Sequence, residues 1–296
     1  MSGFGLALAL PFGLFAMFPS WLKALPKSGG WMNTLKVVLG FVELGLAFKF
    51  LSNADLVQHW GIFKREVFIG IWIAIVLGLV LYLFGKIKFP HDPKTLSLKP
   101  PRLIFGFLFS AFLIYLVPGL TNTSYANLKL LSGFPPPLFY SVYEKDTKGP
   151  LGLKAYNSFE KGRKVADEEN KPILLDFTGY ACVNCRKMEE QVWSKPQIYD
   201  MIKDKYVLIS LYVDDKAMLP EDEQFVFKKP NGGTKSIETV GNKWATFQTV
   251  NFKNNSQPYY VLMNADYELL QKPLGYESDK EVFEDFLKKG LDDFKK

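Results

Sequence analysis

Cys182 and Cys185 are the two cysteines of this 296-residue chain, and only two residues separate them. They follow a short apolar run, Ile173 to Phe177, and a turn at Gly179, and they open a stretch that reads as a helix. A thiolate is the reactive form of cysteine, and the positive end of a helix lowers the cost of holding that charge. One helical turn further on, the second sulfur can close a disulfide or resolve a mixed one. The pair is therefore a candidate two-electron switch whose redox group is its own disulfide, with no added cofactor and no metal. A zinc site would need about four N or S ligands. The chain has no third cysteine, and His59 and His91 stand far off in a different kind of sequence. A static structural disulfide is the blander alternative, but a strand, turn and helix around CxxC is the usual setting of redox pairs.

The stretch LLDFTGYACVNCRKMEE resembles the active-site strand and helix of the thioredoxin fold, with Asp176 six residues before the first cysteine, where thioredoxins carry a buried aspartate. Gln257-Pro258-Tyr259 and the apolar run to Met263 are similar to the cis-proline and following strand of that fold. CVNC followed by Glu189 resembles more closely the C-terminal domain of DsbD-type thiol:disulfide interchange proteins, which carry an acid four places after the second cysteine. Ordinary thioredoxin has tryptophan before the first cysteine and Gly-Pro between the two; here these are Ala181 and Val183-Asn184, so potential and specificity do not transfer. The resemblance implies Cys182 as nucleophile, Cys185 as buried resolving thiol, and Asp176 as acceptor and donor of the Cys185 proton. Glu189 and Asp176, if both ionised, would disfavour the thiolates and favour the disulfide, making the domain an electron donor. Tyr180 and Pro258 are the expected substrate-contacting residues.

The positioning elements fall into two unlike halves. Residues 1–120 carry 11 Lys and Arg against 4 Asp and Glu, and the remainder 25 against 26, so the net charge of +6 belongs to the apolar half. That is a membrane signature and no sign of nucleic acid. Residues 3–18, 34–51, 67–84 and 103–120 read as four spans, each about long enough for a hydrocarbon core of roughly 30 Å. Pro11 should kink the first. Glu43, inside the second, should face other helices or water, while Lys49 can snorkel toward the outer end. The first segment lacks the basic start of a signal peptide. Lysines at 23, 27, 86, 88, 94 and 99, with Arg102, place the first and third loops in the cytoplasm by the positive-inside rule. Both termini then lie outside, and the CVNC domain is periplasmic on a bacterial inner membrane. LPKSGGWM at 25–32 and LKVVLGFVELGLAF after it resemble the second half of the DsbD transmembrane domain.

The expected architecture is thus an all-α membrane segment of four helices (1–120), a Pro-rich linker (121–152) and an α/β thioredoxin-like domain (153–296). The linker, with Pro135 to Pro137, should be an extended, semi-rigid spacer that lets the redox domain swing. Within the domain, helices are expected at 156–170, 182–192, 196–203, 241–250 and 279–289, and strands at 173–177, 207–213, 259–263 and 268–272. The polar stretch 214–240 reads as an inserted surface loop, or as a partner-recognition lid.

The leading functional expectation is a membrane-bound protein-disulfide reductase delivering electrons to periplasmic disulfide-containing proteins. The DsbD resemblance implies a relay: cytoplasmic thioredoxin, then a membrane cysteine pair, then CVNC, then clients. With two cysteines in all, the chain needs that membrane pair from a missing upstream segment or from a separate protein, and membrane lipid is its surrounding. The alternatives are a tethered thioredoxin-like oxidoreductase working without the relay, and a non-catalytic chaperone or scaffold. Loss of both cysteines would leave the last of these unaffected.

Overall fold

The computed structural model describes residue 17 and residues 30–90, 92, 100–143, 149–229 and 232–295. The chain divides into two compact units, residues 1–44 with 75–110, and residues 45–74 with 111–296. Among the described residues, three long helices come first: α1 Gly30–Gln58, α2 Arg65–Leu83 and α3 Pro100–Leu116, the last continued by a 3-10 turn Val117–Leu120. Among the described residues, two stretches, Arg65–Leu83 and Pro100–Leu120, are long and apolar enough to cross a membrane. Of the four expected spans, the one at 34–51 lies in α1 but includes Lys36, Glu43 and Lys49. The one at 3–18, with Pro11, falls outside the described residues except for residue 17. Glu43 is exposed on α1, and Lys49 lies over the rings of Phe68 and Phe134 at 5.9 and 5.6 Å. In the first unit Leu79, Tyr82 and Leu83 pack with Val37, Val38, Phe41 and Phe109.

The redox region is a four-stranded sheet, in the order β1 (Ala155–Tyr156), β3 (Val207–Tyr212), β2 (Ile173–Thr178), β6 (Tyr259–Met263). The first three strands run parallel, and β6 runs antiparallel to β2. Every residue of β2 and β3 is buried, which is why both read as continuous apolar runs with no alternation. Alternation shows instead in which core each residue enters. Ile173, Leu175 and Phe177 pack on α4 (Phe159–Glu168) and α7 (Val240–Phe252) through Phe159, Ala166 and Trp244. Leu174 faces the other way, toward Trp193, Ile198, Ile202, Phe283 and Leu287, so Asp176, two positions on, points to that second side. There lie α5 (Val183–Lys187), a π-helical turn Met188–Trp193, α6 (Pro196–Lys205) and α8 (Lys280–Phe294). Ser158, Thr239 and Asp279 cap α4, α7 and α8 through their side-chain oxygens, a residue choice that marks helix starts.

The structure departs from the sequence reading in three places. Residues 214–240 are not a plain loop: Phe225–Lys228 (β4) and Thr234–Ile237 (β5) pair as an antiparallel hairpin. The run FVFK before Pro-Asn-Gly-Gly carries a hairpin signal. The expected strand 268–272 is reduced to isolated bridges, Met263 with Leu269 and Tyr260 with Leu274. Pro273, between these two bridges, has no amide to donate, so the pairing does not run on from Leu269 to Leu274 as one strand. The expected spacer folds into 3-10 turns at Ser124–Ala126 and Lys129–Leu131, with Pro135, Pro136 and Pro137 buried. Arg65 Nη1 donates to the Pro136 carbonyl at 2.5 Å, and Nη2 to that of Ala126 at 2.9 Å. Buried carbonyls need donors, and this arginine supplies them.

Candidate active site

The site is built at one end of the sheet. Phe177 pairs with Tyr259, so the exit of β2 toward Gly179 and the entry of β6 from Pro258 share an edge. The Gln257–Pro258 bond is cis and Pro258 is buried. Beyond Gly179 the chain turns into α5, with Cys182 as the N-cap residue, its Sγ accepting from the Cys185 amide at 3.1 Å. Cys182 and Cys185 are joined as a disulfide with Cα atoms 5.3 Å apart. Cys182 is partly exposed, while Cys185 is 1% exposed. One sulfur is thus open to a partner and the other is sheltered behind it.

The turn before the pair is held from β3. Asp214, just past that strand, accepts from the amides of Tyr180 at 2.8 Å and Ala181 at 3.0 Å. A Cβ on Gly179 would lie 2.8 Å from Asp214 Oδ2, so the close approach of this carboxylate requires glycine there. Tyr180 stacks on Tyr212 with ring centroids 3.9 Å apart and meets His59 edge-on at 4.9 Å. Its hydroxyl pKa is raised, chiefly by burial and then by Asp215 and Asp214. His59 Nε2 lies 2.8 Å from Asp215 Oδ1, and the Lys216 amide donates to the Val57 carbonyl at 3.0 Å.

Asp176 and Glu189 come together around a residue the sequence reading did not single out, Arg186. All three are buried, at 1%, 5% and 3% exposed. Arg186 Nη2 lies 2.8 Å from Glu189 Oε1 and donates to Thr178 Oγ1 at 3.2 Å. Ser210 donates to Asp176 Oδ2 at 3.3 Å. Burial pushes the Asp176 carboxyl up to about 7, against the pull of Arg186 and the Ser210 hydrogen bond. It pushes Glu189 up to about 8, again against Arg186. Desolvation outweighs attraction here because the charged form loses water on every side.

Sequence reasoning missed Arg186, Asp214 and His59. Arg186 follows the second cysteine directly, but a single arginine in a helix usually points to water. Asp214 looked like the start of a polar loop; its signal is an acid two residues past an apolar strand. His59 was set aside for its distance along the chain, which the fold removes. Chemically, the arrangement can exchange a disulfide at Cys182 and move a proton among buried carboxyls near neutral pH.

Residues 159–291 match the family model described as a thioredoxin-like domain. A thiol:disulfide interchange protein DsbD of Campylobacter jejuni is 26% identical over 192 residues, 64% of this chain and 30% of the relative. The Escherichia coli K12 protein of that name is 25% identical over 206 residues, 69% of this chain and 31% of its own length. The chain therefore spans about 30% of the length of these curated relatives. Among solved structures, a DsbH oxidoreductase aligns over 51% of this chain and 93% of its own, with 17% identity and a TM-score of 0.36.

Proposed function

We propose that this chain, of the DsbD type over about two thirds of its length and with a thioredoxin-like C-terminal domain, is a membrane-bound protein-disulfide reductase. The observation that carries this is a disulfide with one accessible and one sheltered sulfur, flanked along the chain by the buried acids Asp176 and Glu189. In the reduced form the Cys182 thiolate attacks a partner disulfide. A Cys182–partner bond forms, the partner's S–S bond breaks, and one partner sulfur leaves as a thiolate. Cys185 gives its proton to Asp176, and the Cys185 thiolate attacks Cys182 Sγ. The internal disulfide forms, the second partner sulfur leaves, and two electrons have passed to the partner. With a pKa of about 7, Asp176 takes and returns that proton near neutral pH. Glu189, at about 8, is largely protonated at neutrality, so its bias against thiolates grows only as pH rises.

In this reading residues 1–120 form four spans, 121–152 connect them to the redox domain, and 153–296 work in the periplasm of a bacterium. Tyr180 and Pro258 flank the bound client, the internal disulfide suffices without cofactor or metal, and a membrane cysteine pair outside this sequence returns the electrons. The test is to trap the partner. In Cys185→Ala, Cys182 cannot be released from its mixed disulfide. A partner with cysteines inside membrane spans supports the relay. Secreted proteins alone would favour an independent tethered oxidoreductase, and no trapped species at all would overturn the reductase reading.

A further inference from the structure

Arg186 occupies a position that the exchange chemistry does not by itself require, and it is costly to keep. A guanidinium taken out of water is expensive unless its charge and hydrogen bonds are answered. Here Nη2 meets Glu189 and Thr178, with the Gly179 carbonyl at 3.5 Å. The ring of Phe139, from the segment before the redox domain, lies 5.3 Å from Cζ, within cation–π range. Nε and Nη1, like Asp176 Oδ1, are buried without a hydrogen-bond partner among the described residues. The charged and titratable groups acting on this guanidinium are Glu189 and Glu190 from the π-helical turn after α5, Asp176 from β2 and Tyr212 from β3. Tyr180 before the helix and Tyr260 on β6 also feel its charge. One fixed cation thus serves two buried carboxyls. Such a cluster gives up its two carboxyl protons one after the other, the second less readily than the first.

Resting on the reductase reading, we propose that Arg186 is a positioning residue for proton transfer. Its guanidinium, anchored by Glu189, Thr178 and Phe139 next to Cys185, holds the charge that lets Asp176 accept the Cys185 proton near neutral pH. Without it, Asp176 would keep its own proton to higher pH, and the Cys185 thiolate would lose the buried positive charge carried by the next residue. Both effects move the resolving step in the same direction.

The full chain in detergent, reduced and then mixed with the small aromatic disulfide 5,5′-dithiobis(2-nitrobenzoate), releases two coloured thiolates in sequence. The first reports attack by Cys182 and the second resolution by Cys185. In Arg186→Met the pH midpoint of the second release should rise by about one unit or more, making that step about tenfold slower at pH 7. Arg186→Lys, which keeps the charge, should move it by less than about half as much. If Arg186→Met does not fold, Arg186→Gln with Glu189→Gln still strips Asp176 of its cation and should shift the midpoint the same way. A midpoint unmoved in a folded charge-free variant, or moved as far by lysine as by methionine, overturns the proposal. If the wild-type chain shows no second release, the reductase reading itself fails and this inference falls with it.

Discussion

Asp176 lies in a strand buried on both faces, and its carboxyl is raised from 3.8 to about 7, mainly by burial. The folded chain therefore holds a proton that the unfolded chain has released above pH 4. The stability this contributes is complete below the unfolded pKa and is lost as pH climbs from about 4 to about 7. Glu189 adds a second loss extending to about 8. In the oxidised protein, Asp176→Asn should match the wild type at pH 4 and exceed it at pH 8, leaving only the slope due to Glu189. Denaturant unfolding across that range checks this; a wild-type curve that rises with pH would contradict the buried-acid account. The same substitution removes the proton acceptor, so resolution by Cys185 should slow at least about a hundredfold at pH 7, the low end of general acid–base contributions. Asp176 was legible in the sequence because a lone acid stands inside an apolar run. Its cation was not, because nothing along the chain says that Arg186 turns inward.

The turn between β2 and α5 depends on an element that comes later in the chain. Asp214 ties down two amides before Cys182, and Gly179 lets it approach. Gly179→Ala should displace the carboxylate and leave those amides without it, costing about 1–3 kcal/mol. The denaturant midpoint reads the cost. In an Asp214→Ala background the added effect of Gly179→Ala should shrink to a few tenths of a kcal/mol, and a full additive loss would show that the clash lies elsewhere. The central strands, the CxxC helix start and the closing helix were legible from apolar runs, cysteine spacing and the order of a thioredoxin-like domain. The β4–β5 hairpin and the bridges around Leu269 and Leu274 were not, because their pairing depends on partners outside the local window.

Within the unit formed by residues 45–74 and 111–296, the end of α1 and the segment before the redox domain both reach the cysteine pair's surroundings. His59 meets Asp215 and Tyr180, the Lys216 amide bonds to Val57, and Phe139 covers Arg186. A Cβ on Gly133 would come within 2.7 Å of the Val183 carbonyl, inside the CVNC motif itself. The His59 side chain is 39% exposed, so its pair with Asp215 is screened and contributes at most about 1 kcal/mol. His59→Ala should change global stability by less than that while speeding amide exchange at residues 214–217. Unchanged exchange there would mean that the Lys216–Val57 bond alone holds the contact.

By itself the sequence determined the redox pair, its strand–turn–helix setting, the buried acid before it and the apolar character of the first half. Each of these is written in neighbouring residues through period, spacing or side-chain chemistry. Only the tertiary structure decided that Arg186 turns inward to Glu189, that Asp214 clamps the turn and that His59 stands beside Asp215. Those relations join residues from 3 to 156 positions apart, and their strength comes from burial, which no local stretch of sequence specifies.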